Sequence, residues 1–207
     1  MSVRQILTSL VAIALVCGTT SLAQAQSASP KGTKDAAKPA SKPAATAAPA
    51  AATAAAGGAE PTLIGQFGTW GAYTATPNGK RVCFALAKPA SSKTNPPNRP
   101  RDPAYAFVST RPAEKVVNEV SVMMGYLLKP GSESTLGVGG ASYSMYTQGD
   151  GVWIKNAAEE ERMVEAMRHS ADVVVKGISA KGTETTDSFS LKGLSQALDR
   201  IAQECKR

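Results

Sequence analysis

Residues 82–87 read Val82-Cys83-Phe84-Ala85-Leu86-Ala87. Val82, Phe84 and Leu86 point one way and Cys83, Ala85 and Ala87 the other, which is the period-two pattern of a β-strand. The same alternation recurs downstream. Val120, Val122, Met124 and Tyr126 share a face, and so do Tyr143 and Met145, with Ser142, Ser144 and Tyr146 opposite. Turn signals separate these runs at Pro77-Asn78-Gly79, Lys129-Pro130-Gly131 and Gly149-Asp150-Gly151. Short strands joined by tight turns imply antiparallel pairing.

The pattern then changes period. Asn156, with Glu159 three residues on, offers a capping box for a helix whose apolar stripe is Met163, Val164 and Met167. Two more strands follow, near Asp172–Ser179 and Thr185–Leu191. The chain closes on a helix with Leu194, Leu198, Ile201 and Cys205 along one side. The expected fold is mainly β (α+β). It is a compact antiparallel β-sandwich or barrel-like domain over 61–207, with two helices, the second at the C-terminus.

Upstream, residues 26–60 are rich in Ala, Pro and Lys and contain no aromatic or large aliphatic residue. Such a stretch buries too little apolar area to offset the entropy of ordering it, and it reads as a disordered spacer. Residues 1–25 have the three parts of a signal peptide. Arg4 is the charged start, Ile6–Val16 the apolar run, and Ala23-Gln24-Ala25 the cleavage site. The apolar run is too short for a span, which takes about 20 residues. A lipid anchor on Cys17 is the weaker alternative to cleavage after Ala25, because a lipoprotein signal needs a small residue where Val16 stands.

Of three cysteines, Cys83 and Cys205 would remain after cleavage. An even count in an oxidising compartment reads as one disulfide, here stapling the last helix to an early strand. Two separate buried thiols are the other reading. The chain carries a formal charge of +7, a mildly basic balance without the dense stripe of a nucleic-acid binder. An exported chain of this charge would be drawn to anionic envelope surfaces instead, so peripheral membrane association is compatible with it.

The residues offer little for catalysis. His169 is the single histidine, and its place near the end of a helix suits the helix dipole. The cysteines lack metal-site spacing, and there is no Gly-x-Ser-x-Gly elbow. Gly137-Val138-Gly139-Gly140 lacks dinucleotide-loop spacing and reads as a flexible or bulged strand edge. Glu159, Glu160 and Glu161 point in different directions and read as a solvated helix start. No enzyme activity, cofactor or metal is expected. The unusual stretch is Lys88–Arg111, with five prolines between 89 and 103 and the cations Lys88, Lys93, Arg99, Arg101 and Arg111. These five are the candidate partner-binding residues, on a projecting basic loop preset by proline. A solvated hairpin connection is the plainer reading of the same stretch.

Several segments together resemble the invasion-associated locus B family of bacterial envelope proteins. They are Phe67-Gly68-Thr69-Trp70, Arg81-Val82-Cys83-Phe84-Ala85, Arg111-Pro112, Trp153-Ile154-Lys155, Ala171–Gly177, Phe189–Leu198 and the closing Cys205. The resemblance covers nearly all of 61–207. It implies a periplasmic protein, outer-membrane associated or secreted, of a family named for a member linked to virulence through host-cell entry. It implies no catalytic residues. The resulting expectation is a non-enzymatic envelope protein with an interaction or accessory role in invasion or envelope integrity, acting on an envelope protein. The alternative is a module that binds lipopolysaccharide or peptidoglycan through Lys88–Arg111.

Overall fold

A computed structural model of the chain describes residues 50–206. The signal peptide expected at 1–25 and the spacer up to residue 49 lie outside the described residues.

The chain forms α1 (Ala50–Ala55), then five strands, β1 (Thr62–Phe67), β2 (Trp70–Ala75), β3 (Val82–Ala87), β4 (Ser91–Asn95) and β5 (Tyr105–Arg111). Next come β6 (Val116–Met123), β7 (Ser134–Val138), β8 (Ala141–Gln148) and β9 (Gly151–Ile154). Helix α2 (Glu160–His169), strands β10 (Asp172–Ile178) and β11 (Glu184–Ser190), and helix α3 (Leu194–Cys205) complete the domain. The strands make one sheet in the order β1-β2-β3-β5-β6-β9-β8-β7-β10-β11-β4, with every pairing antiparallel. The sheet stays open between β1 and β4 but bends back on itself like a sandwich. At the meeting corner Trp70 Nε1 donates to the Ser190 carbonyl at 2.9 Å, and Thr69 N to the Lys192 carbonyl at 3.3 Å. Gly68 and Gly193 allow this approach. Both have positive φ, and a Cβ on either would stand within 2.4 Å of a backbone oxygen across the corner. Two of the segments that carry the family resemblance therefore dock on each other.

The alternation at 82–87 is what places the core. Cys83, Ala85 and Ala87 face inward, where they join Trp70, Val108, Val120, Met145, Val175 and Phe189 beneath α2 and α3. Small residues on the inner side of β3 leave room for α3, whose Leu194, Ala197, Leu198 and Ile201 are buried. Val82, Phe84 and Leu86 face outward, yet they too are buried. They form a second cluster with Tyr73 and Phe107, covered by Ala52 of α1 and by Ala56 in the turn after it. The end of the alanine-rich stretch read as spacer thus carries an ordered element. Its small side chains suffice because the sheet supplies the large apolar surface.

Three local readings change. Gly137 lies in β7, an interior strand between β8 and β10, and Gly139-Gly140 make the β7–β8 turn, so the glycine run is no sheet edge. Asn156 accepts from Ala158 N at 3.2 Å and caps a short 3-10 turn at Ala157–Glu159, with α2 starting after it. The carboxylate cluster is not uniformly solvated either. Glu160 turns inward and accepts a hydrogen bond from Val120 N at 2.8 Å, tying α2 to β6.

Burial pushes the Glu160 carboxyl above its ordinary value, against the hydrogen bond from Val120 N. The ionised form is the costlier one in the fold. That cost is fully present above the folded pKa and disappears as pH falls below the unfolded one. Glu160→Gln keeps an acceptor for Val120 and is expected to raise the thermal midpoint at pH 7 by a few degrees at most. The gain should shrink as pH falls toward about 4, where the wild-type carboxyl is neutral as well. A variant destabilised equally at every pH would refute this account.

Candidate binding groove

The Lys88–Arg111 stretch does not project as one loop. Its first half forms β4, paired with β11 from Ser91↔Ser188 to Asn95↔Glu184. Its second half returns across the sheet and is pinned there by Arg101. The guanidinium makes a two-pronged ion pair with Asp187, one arm at 2.9 Å to Oδ2 and the other to Oδ1. It also donates to Ser92 Oγ at 3.0 Å and sits 5.7 Å from the Tyr126 ring centroid. The Asp187 side chain is 0% exposed and that of Arg101 11%. Arg111 is likewise held within the domain, by Glu114 at 2.7 Å and Glu119 at 2.9 Å. Its guanidinium is pushed above its ordinary pKa chiefly by the Glu119 bond. Lys88 extends over the Tyr105 ring at 5.8 Å. Lys93 and Arg99 are exposed, and neither forms an ion pair among the described residues.

Pinning this segment creates a groove that spacing along the chain did not signal. One wall is Pro96, Arg99, Pro100 and Arg101, and the other is the β10–β11 turn, Ser179–Thr183. Tyr126 and Leu127 line it between them, and its volume is about 700 Å³. Leu127 is 68% exposed and presents its side chain to this groove. The position is fixed by backbone bonding, since Ala180 N donates to the Leu127 carbonyl at 2.8 Å. Tyr126 Oη and Thr185 Oγ1 share a hydrogen bond of 2.6 Å. Burial raises the Tyr126 phenol above its ordinary pKa, so it stays neutral as a hydrogen-bonding group.

The groove lining contains no carboxylate, histidine or cysteine. What it offers is apolar surface, hydroxyls and cations, with a few polar groups set against apolar walls. His169 lies elsewhere, exposed, with Nε2 2.8 Å from Glu165 one helical turn earlier. Among the described residues no group of three or more His, Cys, Asp or Glu is placed to hold a metal ion. No helix among them is long and apolar enough to cross a membrane.

Cys83 and Cys205 are bonded, with Cα atoms 6.0 Å apart and a sequence separation of 122. The neighbouring Arg81 Nη1 donates to the Glu204 carbonyl at 2.9 Å, so a salt-bridged side chain reinforces the same junction.

The molecule is thus a disulfide-clamped, β-rich domain that carries an open groove with a basic rim. It belongs to the invasion associated locus B (IalB) family, whose family model matches residues 70–202. The match takes in Cys83 and the whole groove, and ends just before Cys205. No curated protein and no solved structure matches the chain.

Proposed function

We propose that the protein is an exported, non-catalytic binding protein of the bacterial envelope, with an interaction or accessory role exercised through the groove. The observation that carries this reading is the groove itself. It is open, walled by two segments held by backbone pairing and a buried ion pair, and lined by apolar surface, hydroxyls and cations. Envelope placement is supported by the family, and export by the signal-like start and the disulfide. A second reading, an anionic envelope polymer gripped by the former loop, draws on a shallow hollow lined by Lys93, Asn98 and Arg99. Arg101 and Arg111 contribute little charge to it, being paired already.

A photo-crosslinking amino acid at position 127 of the full chain, expressed in cells, tests the proposal. Fractionation should find the processed protein outside the cytoplasm. Position 127 should yield one recurring adduct, identified by mass spectrometry as an envelope component. Position 117, also exposed but away from the groove, should yield none. Equal labelling from both positions, or none from either, would overturn the groove as the contact surface. Co-sedimentation with cell wall that depends on Lys93 would favour the polymer reading instead.

A further inference from the structure

The chemistry of the groove narrows what fits it, on the reading that the groove is the binding surface. Its body is apolar, from Pro96, Pro100, Tyr126, Leu127 and Ala180. Its two walls each contribute one exposed cation, Arg99 from the 96–101 segment and Lys181 from the β10–β11 turn. Neither has an ion-pair partner among the described residues, while the third cation of the lining, Arg101, is neutralised by Asp187. The two exposed cations give the rim a positive character, and the apolar surface below it suits hydrocarbon. A volume of about 700 Å³ is in the range of small-ligand sites, about 300–1,000 Å³, with mostly apolar walls and few polar anchors.

We propose that the groove binds a single-chain anionic amphiphile, specifically a long-chain carboxylate. The hydrocarbon lies along Leu127, Tyr126 and the two prolines, and the carboxylate sits at the rim within reach of Arg99 and Lys181. Each half of the ligand matches one feature of the groove. The acyl chain lies against the exposed leucine and the prolines, and the headgroup meets the two exposed cations. Guanidinium and ammonium groups on opposite walls favour a carboxylate held by both over an uncharged chain.

The test uses the purified, disulfide-intact protein with palmitate below its micellar concentration, followed by calorimetry and by displacement of a fluorescent fatty acid. Palmitate should bind at one site, and more weakly as salt rises. The double variant Arg99→Gln/Lys181→Gln should weaken binding about tenfold or more, while hexadecanol should bind no better to wild type than to the variant. Leu127→Asp should abolish palmitate binding with an unchanged thermal midpoint, because Leu127 is already exposed. Absence of palmitate binding would overturn the proposal, and so would hexadecanol binding as tightly as palmitate. Binding only to anionic phospholipid vesicles, or only to an acidic peptide, would overturn it equally. If palmitate fails while position 127 still crosslinks to one envelope component, the binding role stands and only the ligand class falls.

Discussion

Removing the Cys83–Cys205 bond is expected to lower the thermal midpoint by about 15 °C. The bond spans 122 positions, so it excludes a large share of the unfolded chain's conformations. On the chain-entropy account a loop of that length is worth about 5 kcal/mol. A domain of this size loses about 2–4 °C per kcal/mol. The clean comparison is the oxidised wild type against Cys83→Ala/Cys205→Ala, which leaves no free thiol to react. Cys83 is fully buried, and losing its sulfur adds a small packing cost to the entropic one. Reduction of the wild type should add the mass of two hydrogens and move its midpoint toward that of the variant. An unchanged midpoint, or free thiols on both cysteines in protein taken from cells, would contradict the structure.

Arg101→Ala comes next in size, at about 3–5 kcal/mol, because it strands the Asp187 carboxylate with no solvent contact. The midpoint should fall by about 10 °C. Replacing both members, as Arg101→Met/Asp187→Leu, should recover most of the loss, since a well-packed apolar pair needs no charge compensation. Urea denaturation of the two single variants and the double variant measures the coupling directly. Additive losses would mean that the pair does not act as a unit. A large loss would mark Arg101 as a structural cation held by Asp187 and not as a free charge for a partner.

Strand alternation at 82–87 and 141–147, and the helical spacing of Leu194, Leu198 and Ile201, were enough to find these elements, but not to say that the smaller face of 82–87 packs under α3 and the bulkier one under α1. The disulfide was legible from the even cysteine count of an exported chain and from the place of Cys205 on the apolar stripe of the last helix, and the structure bonds the pair. The Asp187 and Glu160 positions carried signals that were readable but passed over. Asp187 alternates with the buried Thr185 and Phe189, which puts a carboxylate on the inner face and calls for a cation. Glu160 precedes Met163, Val164 and Met167 by three, four and seven residues, on their own stripe. Other features had no local signature. α1 offers only small side chains, and its docking depends on aromatic residues far along the chain. Arg101 finds its partner 86 positions away. The groove draws on three separate segments, near residues 94–101, 126–127 and 179–185, and only the folded sheet assembles them.

The position of Cys205 in the last turn of α3 also bears on the order of events. A polypeptide that emerges N-terminus first presents Cys83 long before its partner. The covalent lock can close only after the last turn of α3 has appeared. Until then Cys83 is a reducing thiol in an unfinished product. A chain cut short before residue 205 keeps it so permanently, on a β3 whose inner face has lost the end of its covering helix. The bond therefore records that α3 has been made: oxidised protein carries that helix through Cys205, and molecules cut short before it remain chemically marked for thiol-reactive capture.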